Sequence, residues 1–589
     1  MYINTMLVIT KNENHEITFI TQKRTIFLGY WLKVGVNTID CEGNVMTHKI
    51  RFGNTLHSKF VGRNKEMAEI IDHLEESIQG KGRLVFIVGE TGVGKSRLLE
   101  ELGDYAKTKG VLYLKGRSLY QEKSEPYLPF IEAFGRYLND DLDLEGSDKR
   151  AMIGGTSDDG ISLGTLPLGH ESDTSQERKS NLSLQQERDR LFESLYKVVI
   201  ELSTGSPLLL VLDDVQWADD SSLQFLHYLA RNIKNSKVLI CATYSPEDLE
   251  KNGSRIHPLS EILRKMRLKN LYHEIQLNRL DENYTTQIIE SLIGRGELPK
   301  EFTHRLYEEG EGNPFFIEEV LKSLVDEGLI ELDSYTWEGK IDFSKITIPG
   351  TIKDVIARRI ERMDNKTCSI LKCASIIGNR FSFELLHNVC ELNEEELIDA
   401  LDAAISINII HEEDGSKEEH YRFDHALTKE VIYNSMTRSR RRLMHKKVGY
   451  ILESLYSENI NEVVYRLAYH FKEGKDMNKT FVYAVFAGQM ATDSYAPEDA
   501  IRHFLLALRA LEQIEISMEN LAKKLAVVTK LGEIHNTIGE WDSSLEYNRA
   551  ALNLSNKLGN ELEMARAYRN TGHIKQNKGE YDEALENFK

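Results

Sequence analysis

The apolar run Leu84 to Val88 passes directly into Gly89-Glu-Thr-Gly-Val-Gly-Lys-Ser96. No other feature limits this chain so strongly, because a buried strand that ends in such a turn has to feed a helix. The glycines let the backbone wrap a phosphate with its N–H groups, and the helix opening near Lys95 adds the positive end of its dipole. Lys95 is placed to reach β- and γ-phosphates, and Ser96 to offer its hydroxyl to Mg²⁺. The candidate cofactor-binding loop is therefore Gly89, Glu90, Thr91, Gly92, Val93, Gly94, Lys95, Ser96 and Arg97.

Further along, Pro207-Leu-Leu-Leu-Val-Leu-Asp-Asp214 reads as a central parallel strand, apolar enough to be buried on both faces, that ends in paired acids. A carboxylate at Asp213 can hold Mg²⁺ directly or through its water shell, and Asp214 is placed to orient or deprotonate a water. Thr243 closes a third strand, Lys237-Val-Leu-Ile-Cys-Ala-Thr243. There it fits either a γ-phosphate sensor or an ordinary strand-end cap.

The chain of 589 residues is too long for one core and predicts roughly three to five domains. With 93 acids against 74 bases and a net charge of −19, it does not read as a general nucleic-acid binder. It has neither a signal-peptide pattern nor an apolar run near membrane-spanning length, so the expected location is cytoplasmic, with no membrane partner. Cys41, Cys241, Cys368, Cys373 and Cys390 form no C-x-x-C pair and read as reduced, mostly buried thiols without metal or catalytic roles.

Five regions follow. Residues 1–56 form a small β-containing segment, and 57–277 a P-loop core interrupted at about 140–181 by a Gly/Ser/Asp/Thr-rich disordered insertion. Residues 278–362 are helical and carry Gly312-Asn-Pro-Phe-Phe, which opens a helix whose Phe315, Phe316, Val320 and Leu324 read as core. Arg358, Arg359 and Arg362 form a basic face, expected to be exposed or in interdomain salt bridges.

Residues 363–448 combine helices with a charged hairpin and suggest a winged helix. Its acidic wing, Glu412, Glu413, Asp414, Glu418 and Glu419, would be repelled by DNA phosphates, so the module reads as an internal clamp and DNA binding is not predicted. Residues 449–589 are helical repeats: Leu531-Gly-Glu-Ile…Gly539-Glu-Trp recurs as Thr571-Gly-His-Ile…Gly579-Glu-Tyr. Trp541, Tyr581, Leu545 and Leu585 are expected to fill the grooves between hairpins. The repeats lack a polar final helix, which predicts that the chain is a piece of a longer protein. The fold class is thus multidomain α/β plus α: a P-loop AAA-like NTPase core, helical lid, winged helix and TPR-like α-solenoid.

Taken in order, Phe60-Val-Gly-Arg63, the phosphate loop, Gly116-Arg-Ser-Leu-Tyr-Gln-Glu, the Asp213-Asp214 strand, Gly312-Asn-Pro-Phe-Phe and Tyr421-Arg-Phe-Asp-His-Ala-Leu resemble the signal-transduction ATPases with numerous domains. More narrowly, they resemble the Orc1-like AAA ATPase region found with helical repeats in transcriptional activators, some class III adenylate cyclases and some receptor-like kinases.

The resemblance implies ATP/ADP and Mg²⁺ as cofactors, Lys95, Asp214 and Thr243 as catalytic residues, and Ser96 and Asp213 as metal ligands. It also implies that Pro314 packs on adenine, that Val61 or Arg63 borders the base, and that His425 contacts the β-phosphate in a closed state. Where many relatives place an arginine after the Thr-Tyr of the sensor strand, this chain has Ser245, which implies slow turnover. Implied partners are a protein or small-molecule inducer at the repeats, with possible nucleotide-dependent self-association. Rival readings are the regulatory half of a cyclase or kinase, a DNA-binding regulator, and a repeat scaffold with a degenerate nucleotide site.

Overall fold

A computed structural model describes residues 59–118, 125–140, 184–250, 257–293, 300–327, 349–413 and 419–589, with four short strands before them. Those strands, β1 (Val8–Lys11), β2 (Ile17–Ile20), β3 (Val36–Ile39) and β4 (Val45–His48), pair as two antiparallel hairpins. The insertion expected at about 140–181 lies, past its first residue, outside the described residues, as does Cys41.

The next five strands form one parallel sheet: β5 (Arg83–Val88), β6 (Leu112–Arg117), β7 (Leu208–Asp213), β8 (Val238–Tyr244) and β9 (His273–Gln276), in the order β6-β7-β8-β5-β9. Because β8 is inserted between β5 and β7, the phosphate loop after β5 and the acids after β7 face each other across the end of β8. Strands β7 and β8 are buried throughout, as near-continuous apolar runs predict for a sheet with helices on both faces. Helix Lys95–Thr108 packs Leu98, Leu99 and Leu102 beneath β5 and starts at the loop's lysine.

After the sheet, helices Glu282–Ile293, Lys300–Gly310, Pro314–Asp326 and Ile352–Glu361 share a separate core with Phe316, Val320 and Leu324 inside it. Phe315 departs from the expected core role. It is half-buried and stacks on the His425 ring at 4.1 Å.

The following module holds helices Asn365–Ile377, Phe383–Cys390 and Glu394–Ser406 against a three-stranded antiparallel sheet. The predicted hairpin is β11 (Ile410–Glu413) with β12 (His420–Phe423), and β10 (Arg380–Ser382), missed from sequence, lines β12's other edge. Arg359 is not exposed. It is buried between the lid helix Pro314–Asp326 and this module, paired with Glu319 and donating to the Ile407 carbonyl. That places it on the interdomain side of the two expectations.

The remainder is helical hairpins. Gly539 and Gly579 take φ of 81° and 79°, the left-handed geometry that suits glycine at a helix end. Leu545 is buried as expected, whereas Tyr581 and Leu585, in the last described helix, are 70% and 55% exposed.

The first repeats do not stand apart from the sheet. Ala484, Ala491, Ala496, Ala500, Phe504 and Leu531 belong to the same apolar core as Phe86, Leu210, Phe225 and Ile240. Among the described residues no helix is long and apolar enough to cross a membrane.

Candidate nucleotide-binding site

A cavity of about 1480 Å³ opens where sheet, lid and the β10–β12 module meet. It is lined by the whole loop from Glu90 to Arg97, and by Val61, Arg63, Arg117, Asp214, Asn313, Pro314, Phe315 and His425. Gly89 is glycine for lack of room, since a Cβ there would sit 2.7 Å from the Leu277 carbonyl oxygen. Gly92 and Gly94 are needed for their left-handed φ of 84° and 101°.

The Lys95 ammonium spends its three donors on Gly89 O (2.8 Å), Glu90 O (3.0 Å) and Ser245 Oγ (2.8 Å). Burial lowers its pKa against the pull of Asp214 and Asp213. Ser245, where relatives imply an arginine, thus serves as a hydroxyl acceptor for the loop lysine.

Asp213 is 1% exposed and stands at the centre of a small network. Its Oδ1 accepts from Ser96 Oγ at 3.2 Å and from Thr243 Oγ1 at 2.7 Å. Its Oδ2 faces Arg117 at 3.7 Å and Lys115 at 3.9 Å. Burial alone would raise this carboxyl, but Arg117, Lys115 and the two hydroxyls outweigh it and hold Asp213 below its ordinary value. Adjacent serine and carboxylate oxygens, able to share a cation with water, fit the hard-oxygen preference of Mg²⁺.

Asp214 adopts the left-handed conformation at φ 58°, which turns it out of the strand line toward the cavity. Its N–H donates to Thr243 Oγ1 at 2.8 Å, and its Oδ1 accepts from Gln216 Nε2 at 3.2 Å. Burial and the neighbouring Asp213 push its carboxyl up to about 6. Thr243 thus bridges both acids and is itself fully buried. Two adjacent carboxyls held at opposite ends of their range suit one as a metal ligand and the other as a proton acceptor.

Arg63 clamps backbone: its Nη2 donates to Val93 O at 3.0 Å and Asn278 O at 2.6 Å, tying the loop to the start of the lid. Val61 packs on the lid core and also borders the cavity. Arg97 pairs with Glu101 on the exposed side of its helix. Pro314 occupies the first turn of its helix at the cavity wall.

Sequence reasoning missed Asn313. Its Oδ1 caps the lid helix by accepting from Phe315 and Phe316 N–H, and its Nδ2 donates to Thr91 O at 3.1 Å. Phe315 N–H in turn donates to Gly92 O at 3.3 Å. A Cβ on Gly92 would come within 2.8 Å of Asn313 Oδ1, so lid and loop interlock. The Asx-Pro pair that starts the helix was the available signal for a cap. Asn313→Ala should cost about 1 kcal/mol as a lost cap. It should also speed amide exchange at Phe315 and Phe316, whose N–H groups lose their Asn313 acceptor, and denaturant titration with hydrogen exchange checks both.

His425 caps helix Ala426–Ser435, with Nδ1 accepting from Leu427 N–H at 3.2 Å. Neutral imidazole in that role carries its proton on Nε2. Burial holds the ring's pKa down, which favours this neutral donor form. The stack on Phe315 therefore links the loop-bound lid to the β10–β12 module.

Phosphate loop, acid strand and bridging threonine on a parallel sheet form a P-loop-type nucleotide-binding core, here joined to a largely helical, repeat-like region. Residues 59–241 match the family described as an AAA ATPase domain, and residues 282–334 match a domain of unknown function, DUF8739. An uncharacterized protein of Rhizobium meliloti, R02095, is 21% identical over 492 residues, covering 80% of this chain and 45% of that protein. The peroxide stress-activated histidine kinase mak3 of Schizosaccharomyces pombe is 22% identical over 280 residues, covering 45% of this chain and 11% of the kinase. Hybrid signal transduction histidine kinase G of Dictyostelium discoideum is 22% identical over 432 residues, covering 60% and 12%. The chain spans less than half the length of each of these relatives.

Among solved structures, a signal transduction ATPase with numerous domains and a tetratricopeptide repeat sensor from Pyrococcus horikoshii shares 15% identity. The match covers 90% of this chain and 77% of that one, with a TM-score of 0.40. AMPPCP-bound DnaA from Aquifex aeolicus shares 16%, covering 69% and 99%, with a TM-score of 0.26.

Proposed function

We propose that this chain is an ATP-binding signal-transduction switch with slow, Mg²⁺-dependent hydrolysis, coupling its nucleotide state to a partner or inducer held by the helical repeats. The observation that carries this reading is the convergence of the phosphate loop, Asp214, the Asn313–Phe315 turn and His425 on one cavity, with Asp213 bonded just behind its Ser96 wall. Three separate modules thereby sense one ligand, and nucleotide acts through its different affinity for their closed and open arrangements.

In this reading Lys95 turns from the loop carbonyls to the phosphates, while Ser96 and Asp213 hold Mg²⁺. Bound ATP supplies the terminal phosphoryl group for transfer to water. Asp214 takes the proton from that water at its carboxylate, and Thr243 keeps both acids in register. Pro314 and Val61 border the base, and His425 donates from Nε2 toward the phosphates. The β10–β12 module serves as a winged-helix clamp, and the setting is cytoplasmic.

Asp214 can act as base only when ionised. Turnover should therefore rise with pH as Asp214 ionises and level off once it is fully ionised. Asp214→Asn should remove that rise and lower turnover by on the order of 10²-fold, while Lys95→Ala should abolish nucleotide retention. Purified protein assayed for bound nucleotide and for phosphate release across pH provides the check. A folded chain that neither carries nor binds ATP or ADP would sink the proposal.

A second reading, the regulatory segment of a larger signalling kinase, draws on the two histidine kinases of which the chain covers only 11% and 12%. It changes the output and leaves the switch itself intact.

A further inference from the structure

The motif Gly116-Arg-Ser118 received no role from sequence, and its placement at the end of β6 is tightly determined. A Cβ on Gly116 would lie 1.7 Å from the Pro129 carbonyl oxygen, so glycine alone permits helix Leu128–Asp140 to start where it does. The Arg117 N–H donates to Glu132 Oε2 at 2.8 Å, and the Ser118 N–H donates to Asp213 O at 3.0 Å. Arg117 lies directly across from Asp213 in the sheet register. Its backbone is therefore fixed from three sides beside the carboxylate expected to hold Mg²⁺.

The Arg117 side chain is differently placed. Its guanidinium lines the cavity, and among the described residues its one partner is Asp213 Oδ2, at 3.7 Å. That is an ion-pair distance beyond hydrogen-bond reach, which leaves a fork of five N–H donors uncommitted. The other cations at this end of the cavity are engaged. Lys95 holds loop carbonyls, Arg63 holds Val93 and Asn278, Arg97 holds Glu101, and Arg279 holds Glu90 and Glu311. Beside Arg117, the Ser118 hydroxyl lines the same cavity, is 3% exposed, and has no hydrogen-bond partner among the described residues. A buried hydroxyl ordinarily finds a partner in protein, ordered water or a ligand, and here it is free to donate into the cavity.

We propose that Arg117, seconded by Ser118, reads the terminal phosphate of ATP from within the same chain, and that its contact with Asp213 is the resting position of that sensor. The inference rests on the ATP-binding reading above. Arg117 leaves Asp213 when the carboxylate's charge is taken up by Mg²⁺, and its planar fork then pairs with phosphate oxygens, a geometry for which arginine is better suited than lysine. ADP lacks the phosphate being read, so Arg117 acts on the choice between ATP and ADP more than on binding in general.

The test is nucleotide affinity, by titration calorimetry of the full chain with Mg²⁺ and either ATPγS or ADP. The proteins compared are the unmodified chain, Arg117→Ala, Arg117→Lys and Lys95→Ala, each checked for folding by thermal melting. Arg117→Ala should weaken ATPγS binding by on the order of 10- to 100-fold, the range for charge-assisted hydrogen bonds, with ADP affinity changed far less. Arg117→Lys keeps a charge beside Asp213 and serves if the alanine variant does not fold. It should lose part of the same preference. Equal weakening of both nucleotides, or an unchanged preference in the folded variants, would overturn the proposal. If Lys95→Ala meanwhile loses both nucleotides, the switch reading survives that failure. If the unmodified chain binds neither nucleotide, the switch reading fails as well.

Discussion

Asp499→Ala is expected to loosen the first repeat from the P-loop core, at a cost of about 1–3 kcal/mol for leaving buried polar groups of Ser221 without their acceptor. Asp499 is fully buried at the start of helix Pro497–Leu511. Its Oδ2 accepts from Ser221 N–H at 3.2 Å and from Ser221 Oγ at 2.7 Å, and its Oδ1 pairs with Arg502. Ser221 lies in the first turn of helix Asp220–Asn232, which follows Asp214 by one short 3₁₀ turn, so this contact joins the repeats to the segment that carries the acids. Arg188 to Glu498 at 2.8 Å and Tyr127 OH to Tyr495 O at 3.3 Å flank it.

Removing the carboxylate leaves the Ser221 N–H and hydroxyl without their acceptor, while Arg502, 38% exposed, turns to solvent. Guanidinium unfolding should show the loss, and small-angle scattering should show an expanded particle. Unchanged stability would mean that the apolar part of the interface suffices. Asp219 adds a sign to the same contact. Burial and the nearby Asp499 push its carboxyl up to about 7. An acid with a raised pKa favours the docked state when protonated, so docking should weaken as pH rises from the ordinary carboxylate range through about 7.

Arg359→Ala should be more destabilising, about 3–5 kcal/mol, because at this junction both partners of the charged pair are buried and Glu319 is left without its arginine. Arg359 and Glu319 are 3% and 2% exposed, and Lys322 adds a bond to Glu319 at 2.9 Å. Lys322 also faces Asp424 at 3.6 Å, and Asp424 holds His411 at 2.8 Å immediately before His425. The network therefore runs from the lid to the residue beside the cavity histidine.

Burial works to raise the carboxyls of Glu319 and Asp424, but Lys322 and Arg359 at the first, and His411 and Lys322 at the second, win and hold both below their ordinary values. Carboxyls depressed in the folded state stabilise it at neutral pH, and that contribution fades as pH falls through the acid range. Denaturant midpoints for Arg359→Ala, Glu319→Ala and the double variant Arg359→Met/Glu319→Leu give the check. The double variant should recover part of the loss, because Arg359 and Glu319 go together while Lys322 loses Glu319 and keeps Asp424 at 3.6 Å, and additive losses would show that the two residues act separately.

Both junctions were nearly invisible in sequence, whereas the phosphate loop was plain, and the difference is physical. The loop is local chemistry: glycine freedom, a lysine, a serine and a preceding apolar strand all lie within a dozen positions. The sheet strands were legible because β7 and β8 are apolar on both faces. Asn313, Arg117 and Asp499 act through partners 222, 96 and 278 positions away, at Thr91, Asp213 and Ser221, and no periodicity encodes such distances. Phe315 looked like core because helical spacing counts apolar residues without knowing what lies opposite, which here is His425. Thr243 was an even choice between sensor and cap, and its two hydrogen bonds show that it serves Asp213 and Asp214 jointly.

The alanine seam at 484, 491, 496, 500 and 507 bears on how such chains can be recombined. Small side chains let helix Pro497–Leu511 lie close to helix Met477–Asp493, and Val527, Leu531 and Ile534 of helix Met518–Thr537 complete the same apolar mass as the sheet. A crossover at the sequence boundary near residue 449 would pair a foreign first hairpin with Phe225 and its neighbours and leave a void or a clash in a close-packed interior. Inheritance of a new repeat array is tolerable only further along, from about helix Trp541–Leu558 outward, where packing passes to a separate small cluster. The first repeats are thus bound to the P-loop core, and the hairpins beyond them are the part that can be exchanged without reopening it.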